Sequence, residues 1–587
     1  MTAPPGLRLI DTVTRRITMP TSPVPYIALS YCWASAPASP GQNTQLLLSN
    51  LARLSQPHAL TPAVLPPVLA DAIQLCQDLS QRYLWIDALC ITQDDAASKA
   101  AQIAAMDRIY HMAVLTIVAV SSATPGLLGA SSRPRPAHPT FDRWPGYLDG
   151  LVAEAGTPEC AWAVARSRWD TRGWTFQERK LSRRMLLVDA GEAYVSCARG
   201  SFWEGDSRLD LHIDPTVELD AEDKMDTIEA GLHDVYESFS SYSRLVVAYS
   251  ARQLSFRSDA VDAFMGVGNI LAARMESRML WGVPERWMMQ GLMWRGRSFT
   301  KGRDADGRVP SWSWAAWEGK VDYGSGGYYE DWTDDTVRVA MDSFRSMHAE
   351  EVGSLVTFFC AERGKDGAVE VRRVEEARLW FGPFDLWDDD EFAECLVTAK
   401  ERQRERPEDV HGAMVNFTWD RCCHNPTECL RRVDISDEAR AKAETVPGSL
   451  AFTTTTAMLS LRRTKQAGKS EAKDEVCFDM VHFNDSFIGS ELFVGQTMAM
   501  NRDWAEKAFD LGYKYRVVVL GAGKANEMKE KKYSSWRDCG RGTQFPLALY
   551  VMVTEEQGGV LYRLAVGIVN LLHWTGLKPA WESVVLG

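Results

Sequence analysis

The stretch RSRWDTRGWTFQERKLSRRMLLV, residues 166–188, joins a helix-forming segment, WTFQERKL, to RMLLV, a run with the length and composition of a buried strand. Trp174 and Glu178 are four residues apart, so a helix stacks them on one face. Arg172 and Gln177 flank them. A carboxylate so placed either does chemistry or pairs with a cation to tie two elements together, and its surroundings decide which.

The residues before this stretch alternate the same two signals. YIALSYCW, residues 26–33, reads as a strand, and LPPVLADAIQLCQDLSQRY as a helix with Leu69, Ile73, Cys76 and Leu79 on one face and prolines in its first turn. LWIDALCI (84–91) reads as the next strand, and Ile103, Met106, Tyr110 and Ala113 mark a second helix. VLTIVAVS (114–121) is a third strand, followed by an inserted Pro-rich loop, SSRPRPAHPTFDRWPG. After the opening stretch, EAYVSC reads as a further strand. Strands alternating with helices predict an α/β domain: a doubly wound, mostly parallel sheet with helices on both faces. Ligands of such sheets bind outside the carboxyl ends of the strands, here marked by Ser30, Tyr31 and Trp33 and by Asp87. Asp94 and Asp95 lie just beyond, where acids suit a helix start better than a metal site.

A chain of 587 residues exceeds one hydrophobic core, and about two to four domains are expected. The net charge of −13 argues against general nucleic-acid binding. The N-terminus MTAPPGLRLID lacks the pattern of a secretory signal. The longest apolar run, MAVLTIVAV, is far below the roughly 20 residues of a membrane span. The twelve cysteines are scattered, as in a reducing compartment, so a soluble cytoplasmic protein with no membrane span is expected.

Residues 7–214 form the expected α/β domain, 215–320 a helical, Trp-rich connecting region, and 321–587 a β-rich region with charged loops. Trp281, Trp287, Trp294, Trp312, Trp314 and Trp317 read as apolar anchors at a domain junction. RCCHNPTEC (421–429) lacks a second Cys pair at ligand spacing and reads as a loop, and the ten histidines form no zinc spacing, so no metal is expected. VVVLGAGKANE places Asn526 where a dinucleotide fingerprint needs its third glycine, so the glycines read as a turn after a strand.

Several ordered segments, YIALSYCWA, LWIDALCITQDD, MDRIYHMA and RGWTFQERKLSRRMLLV, with LRLID before and SCARGSFWEGD after, resemble the successive motifs of the fungal heterokaryon-incompatibility (HET) domain over roughly residues 7–205. YSARQLSFRSDAVDAFMGVG and VPSWSWAAWEG resemble segments that often follow it. Ala34 departs from the family, which has Gly after the Trp. The resemblance implies fungal non-self recognition and regulated cell death, with self-association or another incompatibility protein as partner. It also implies a fold distantly similar to Toll/interleukin receptor (TIR) domains, which are flavodoxin-like. WTFQE has the W-x-x-x-E spacing of the helix where enzymatic TIR domains, which cleave NAD at the nicotinamide–ribose bond, carry their catalytic Glu.

On that reading Glu178 is the catalytic carboxylate, stabilising the positive charge that develops on the ribose as the bond breaks. Because the leaving pyridinium is already cationic, one carboxylate suffices. Arg172 would meet a phosphate, Tyr31 or Trp33 would border the nicotinamide, Trp174 would stack on a base, and Asp87 and Gln177 complete the candidate set. NAD is then the substrate and no cofactor is needed. The competing reading makes Arg172, Asp87 and Glu178 a paired network tying helix to strand ends, in a non-enzymatic interaction module with Trp174 in the core.

Overall fold

A computed structural model describes residues 6–33, 45–120, 167–189, 193–197, 200–203, 235–296, 309–323, 352–364, 366–376, 434–463, 477–483, 491–499, 514–524, 547–570 and 579–587, with a few isolated positions between. The Pro-rich 131–146 and the Cys-rich 421–429 lie outside the described residues. The chain divides into two compact units: residues 1–233 with 252–271, and residues 234–251 with 272–587.

The first unit is built on an eight-stranded sheet of mixed direction. Its strands are β1 (Leu9–Asp11), β2 (Arg16–Thr18), β3 (Ile27–Ser30), β4 (Tyr83–Ile86), β5 (Leu115–Ala119), β6 (Arg184–Val188), β7 (Ala193–Cys197) and β8 (Gly200–Trp203). They lie in the order β2-β1-β4-β3-β5-β6-β7-β8. The central four, β4-β3-β5-β6, are parallel to one another. Every residue of β3 is buried, as expected for a strand covered on both faces. The sheet is not mostly parallel, however. Three of its seven pairings are parallel, and the hairpins β1–β2 and β7–β8, with their junctions to β4 and β6, account for the four antiparallel ones. Short edge hairpins need no covering crossover helix, and the parallel centre survives between them.

The helices largely follow the sequence pattern. Pro67–Asp78 opens with Pro at its first position and buries Leu69, Ile73 and Cys76. LWIDALCI splits: β4 ends at Ile86, and Asp87–Cys90 forms one helical turn. The Asp87 carboxylate accepts from the Ala88 backbone N–H at 2.6 Å, a local bond that competes with strand pairing. Asp95 caps the next helix, Ala96–Ile103, accepting from Ser98 N at 3.1 Å. A separate helix spans Met106–Met112 where the pattern reads as one element. The opening stretch folds as expected, with a helix at Gly173–Leu181 and then β6.

The second unit is rich in β-structure, as the sequence indicates. Strands Leu450–Arg463, Tyr515–Lys524, Leu547–Gln557, Val560–Asn570, Glu491–Ala499 and Cys477–Phe483 pair each with the next, and the last pairs back with the first. This closed antiparallel circuit removes the exposed edges a sheet of that length would carry. The run GAGK is no turn: residues 521–524 continue the strand and pair with 550–547, after an irregularity at Val519/Gly521. Trp287, Trp294, Trp312 and Trp314 are buried in this unit. Trp294 donates to the Trp312 carbonyl at 2.9 Å and Trp312 to that of Gly448 at 3.1 Å. Among the described residues no helix is long and apolar enough to cross a membrane.

Candidate functional site

The helix Gly173–Leu181 directs Glu178 towards the carboxyl end of β3. Its remaining buried side chains, Thr175, Phe176, Gln177 and Leu181, pack it into the unit, while Arg179 and Lys180 occupy the last turn, where cations suit the helix dipole. Ser182 closes the helix: its hydroxyl donates to the Glu178 carbonyl at 2.7 Å. Thr116 of β5 lies 2.6 Å from that hydroxyl, and since the Ser182 proton is already committed, Thr116 is the donor. The helix end is thereby tied to the sheet two strands from its edge hairpin.

Glu178 is only 7 % exposed. Ser30, the last residue of β3, donates its hydroxyl to Glu178 Oε2. Trp169 Nε1 in turn donates to Ser30 Oγ at 2.6 Å. An indole N–H can only donate, so the Ser30 oxygen accepts from Trp169 and its single proton is directed at the carboxylate. Oε2 is therefore the acceptor oxygen when Glu178 is ionised. The Tyr110 phenol faces this carboxylate and favours its ionised form. Burial pushes the Glu178 carboxyl up to about 7. The Ser30 hydroxyl opposes that, the Asp87 charge adds to it, and Arg172 and Tyr110 favour the ionised form.

Asp87 stands at the carboxyl end of β4, beside β3. Its Oδ2 accepts from Trp33 Nε1 at 2.8 Å, and its Oδ1 takes the Ala88 amide. Enclosure of the carboxylate lifts it to about 6, against the opposing pull of those two donors and of Arg172. Tyr31 is half-buried between these groups, its phenol held well above the usual range by burial and then by the Asp87 charge. Tyr31, Trp33, Asp87 and Arg172 are each partly exposed, while Glu178 itself is buried.

Arg172 forms no ion pair within 4.0 Å among the described residues, and its guanidinium donates to the Tyr31 carbonyl at 3.5 Å. The paired network of Arg172, Asp87 and Glu178 is thus absent as a set of direct contacts; the guanidinium acts on both carboxylates through space. Trp174 and Gln177 stand apart. The Trp174 indole donates to Asp259 Oδ2 at 3.1 Å, and Gln177 is buried with its amide nitrogen 3.7 Å from Met106 Sδ. Gln177 fills the contact with the helix Asp262–Arg274, where a Cβ on Gly266 would overlap its amide oxygen.

Five of the seven sequence candidates therefore gather at the strand ends: Glu178, Tyr31, Trp33, Asp87 and Arg172. Ser30, Trp169 and Tyr110 join them. Ser30 was legible as a strand-end residue, but nothing in its sequence neighbours pointed to Trp169 or Tyr110 as partners. No group of three metal-ligating side chains occurs among the described residues. A buried carboxylate, a second carboxylate and an aromatic rim form an electron-rich site suited to a cationic or charge-developing ring.

No curated protein matches the chain, and no solved structure does. The family model for the heterokaryon incompatibility protein (HET) matches residues 26–178, from the residue before β3 to Glu178 itself, so the chain carries a HET domain.

Proposed function

We propose that this protein acts in heterokaryon incompatibility, fungal non-self recognition leading to regulated cell death, through a TIR-like HET domain that hydrolyses NAD. The observation that carries the reading is the Glu178 carboxylate, fixed by Ser30 at the carboxyl end of β3 and bordered by Asp87, Tyr31, Trp33 and Arg172. Numbered along the chain, the parallel strands run 2-1-3-4, the order of flavodoxin-like sheets, which supports the TIR comparison.

In the proposed reaction the nicotinamide–ribose bond breaks with its electron pair leaving on the pyridinium nitrogen, giving neutral nicotinamide. Glu178 stabilises the positive charge developing on the ribose, and water adds at the same carbon and loses a proton. Tyr31 and Trp33 border the ring, Arg172 meets a phosphate, and Asp87 adds negative potential. The site acts in the cytoplasm, on no nucleic acid, and is engaged by self-association or by another incompatibility protein.

A second reading has its own support. Glu178 is buried and hydrogen-bonded, as a purely structural carboxylate would be, so the same surface can serve as a non-enzymatic interaction module. Nicotinamide release from NAD by the purified chain, concentrated or tethered to force assembly, separates the two. The enzyme reading predicts release that Glu178→Ala abolishes without unfolding the protein. Absence of release under every assembly condition overturns it.

A further inference from the structure

The helix that carries Glu178 is gripped from its other side by residues that lie beyond the HET match. Gly173 N donates to the Gln253 carbonyl at 2.7 Å, and Gln253 N donates to the Thr171 carbonyl at 2.7 Å, a two-bond bridge across the first turn. Arg252 adds three contacts: Asp170 at 2.8 Å, the Arg172 carbonyl at 3.3 Å and the Thr175 hydroxyl at 3.4 Å. Its guanidinium also sits 5.1 Å above the Phe176 ring. Asp170 takes Arg179 at 3.0 Å as well, so one carboxylate ties the loop before the helix both to its last turn and to Arg252. Further along, Phe264 stacks on Phe176 at 6.4 Å and Gly266 admits Gln177.

These contacts are close-packed. A Cβ built at Gly173 would stand 2.9 Å from Leu254 Cγ and overlap Cδ2, so a side chain at this position would displace Leu254. The segment 252–271 belongs to the first compact unit, although the residues on both sides of it in the chain, 234–251 and 272–587, belong to the other.

We propose that residues 252–271 are a positioning clamp for Glu178: Arg252, Gln253 and Leu254 fix the helix Gly173–Leu181 against the strand ends, and so set the carboxylate on Ser30 without touching substrate. Two bridging backbone bonds at the first turn pin the helix along its axis. The Asp170–Arg252 pair fixes its rotation, and the Phe264 and Gly266 contacts fix its distance from the sheet. The proposal builds on the reading of Glu178 as the reacting carboxylate, but the clamp itself has a readout that needs no catalysis.

The test uses the full-length chain as wild type, Gly173→Ala and Gly173→Ala/Leu254→Ala. The alanine methyl wedges Leu254 away, and removing the Leu254 side chain takes the colliding atoms with it, leaving the Gln253 carbonyl at 3.5 Å as the nearest remaining neighbour. Amide exchange across residues 174–181 should quicken about tenfold or more in the single variant and return to within about threefold of wild type in the double. Nicotinamide release should lose about tenfold in kcat with KM little changed in the single variant, and recover in the double. Arg252→Lys, which keeps the charge but not the fork, should give a milder loss of the same kind and serves if Gly173→Ala does not fold. Unchanged exchange in Gly173→Ala, or a double variant that fails to recover, overturns the clamp. Altered exchange with unaltered kcat overturns its role in positioning Glu178. A wild-type protein that releases no nicotinamide refutes the NAD reading alone, with exchange still deciding the clamp.

Discussion

Replacing Glu178 by Gln removes a titrating proton site from the interior while keeping an oxygen that can accept from Ser30. The sign of its effect on stability follows from the direction of the shift. The folded-state carboxyl is raised to about 7 from an ordinary 4.5, so the folded chain binds this proton more tightly than the unfolded chain does. Its stabilising contribution is complete below about 4.5 and is lost as pH rises through about 7. At about 1.4 kcal/mol per pH unit, the gap between those values corresponds to roughly 3 kcal/mol. Glu178→Gln should therefore match wild type near the acid end of that window and exceed it by up to about 3 kcal/mol at pH above 8. Asp87 is coupled to this site, so relief of its neighbour's charge adds to the gain rather than opposing it. A chain of two units does not unfold in one step, so the measurement must be local: amide exchange of β3 and β5 in wild type and variant from pH 5 to 8.5, corrected for intrinsic rates. A difference that stays flat across the range, or a wild type that is the more stable above pH 8, would falsify the account of Glu178 as a carboxyl strained by burial.

Other outcomes follow from neighbouring contacts. Ser30→Ala deletes the donor to Oε2 and should cost the first unit about 1–3 kcal/mol at neutral pH, with the Glu178 titration moving higher still by carboxyl-selective NMR. Asp87→Asn should move that titration the other way, because it removes a nearby negative charge. Asp170→Asn breaks the pairs to Arg252 and Arg179 together. It should loosen the helix Gly173–Leu181 in exchange experiments while leaving the second unit's strands unchanged. In that second unit, the fully buried Arg563 donates to the Leu292 and Trp294 carbonyls with its guanidinium 3.8 Å above the Trp294 ring. Arg563→Met should cost about 2–4 kcal/mol, read as early loss of protection in strand Val560–Asn570 alone.

Periodicity made the central sheet and the Glu178 helix legible because both obey local rules. β3, β5 and β6 are apolar runs, and WTFQERKL has no residue that resists a helix. The sheet's direction was less so: β1–β2 and β7–β8 are short hairpins whose antiparallel pairing leaves no mark distinguishing them from parallel strands of equal length. Asp87 was read inside a strand because its carboxylate's bond to the next amide, which starts a helical turn, is invisible in hydropathy. The site was partly legible for a similar reason. Residues at strand ends converge by topology, which brought Tyr31, Trp33 and Asp87 together with Glu178. Helical spacing grouped Trp174 with them and sequence proximity grouped Gln177, whereas both side chains make contacts with 252–271. Trp169 reaches Ser30, Tyr110 the carboxylate and Arg252 the Glu178 helix through contacts that only tertiary structure makes.

The proposed chemistry is tested most directly by NAD content in cells expressing the full-length chain, wild type against Glu178→Ala, with protein levels matched. Depletion of NAD with accumulation of nicotinamide in the wild type, and neither in the variant, is the predicted result. Cell death of equal extent in both, with NAD undisturbed, would contradict the enzymatic account and leave the HET surface to act by contact alone.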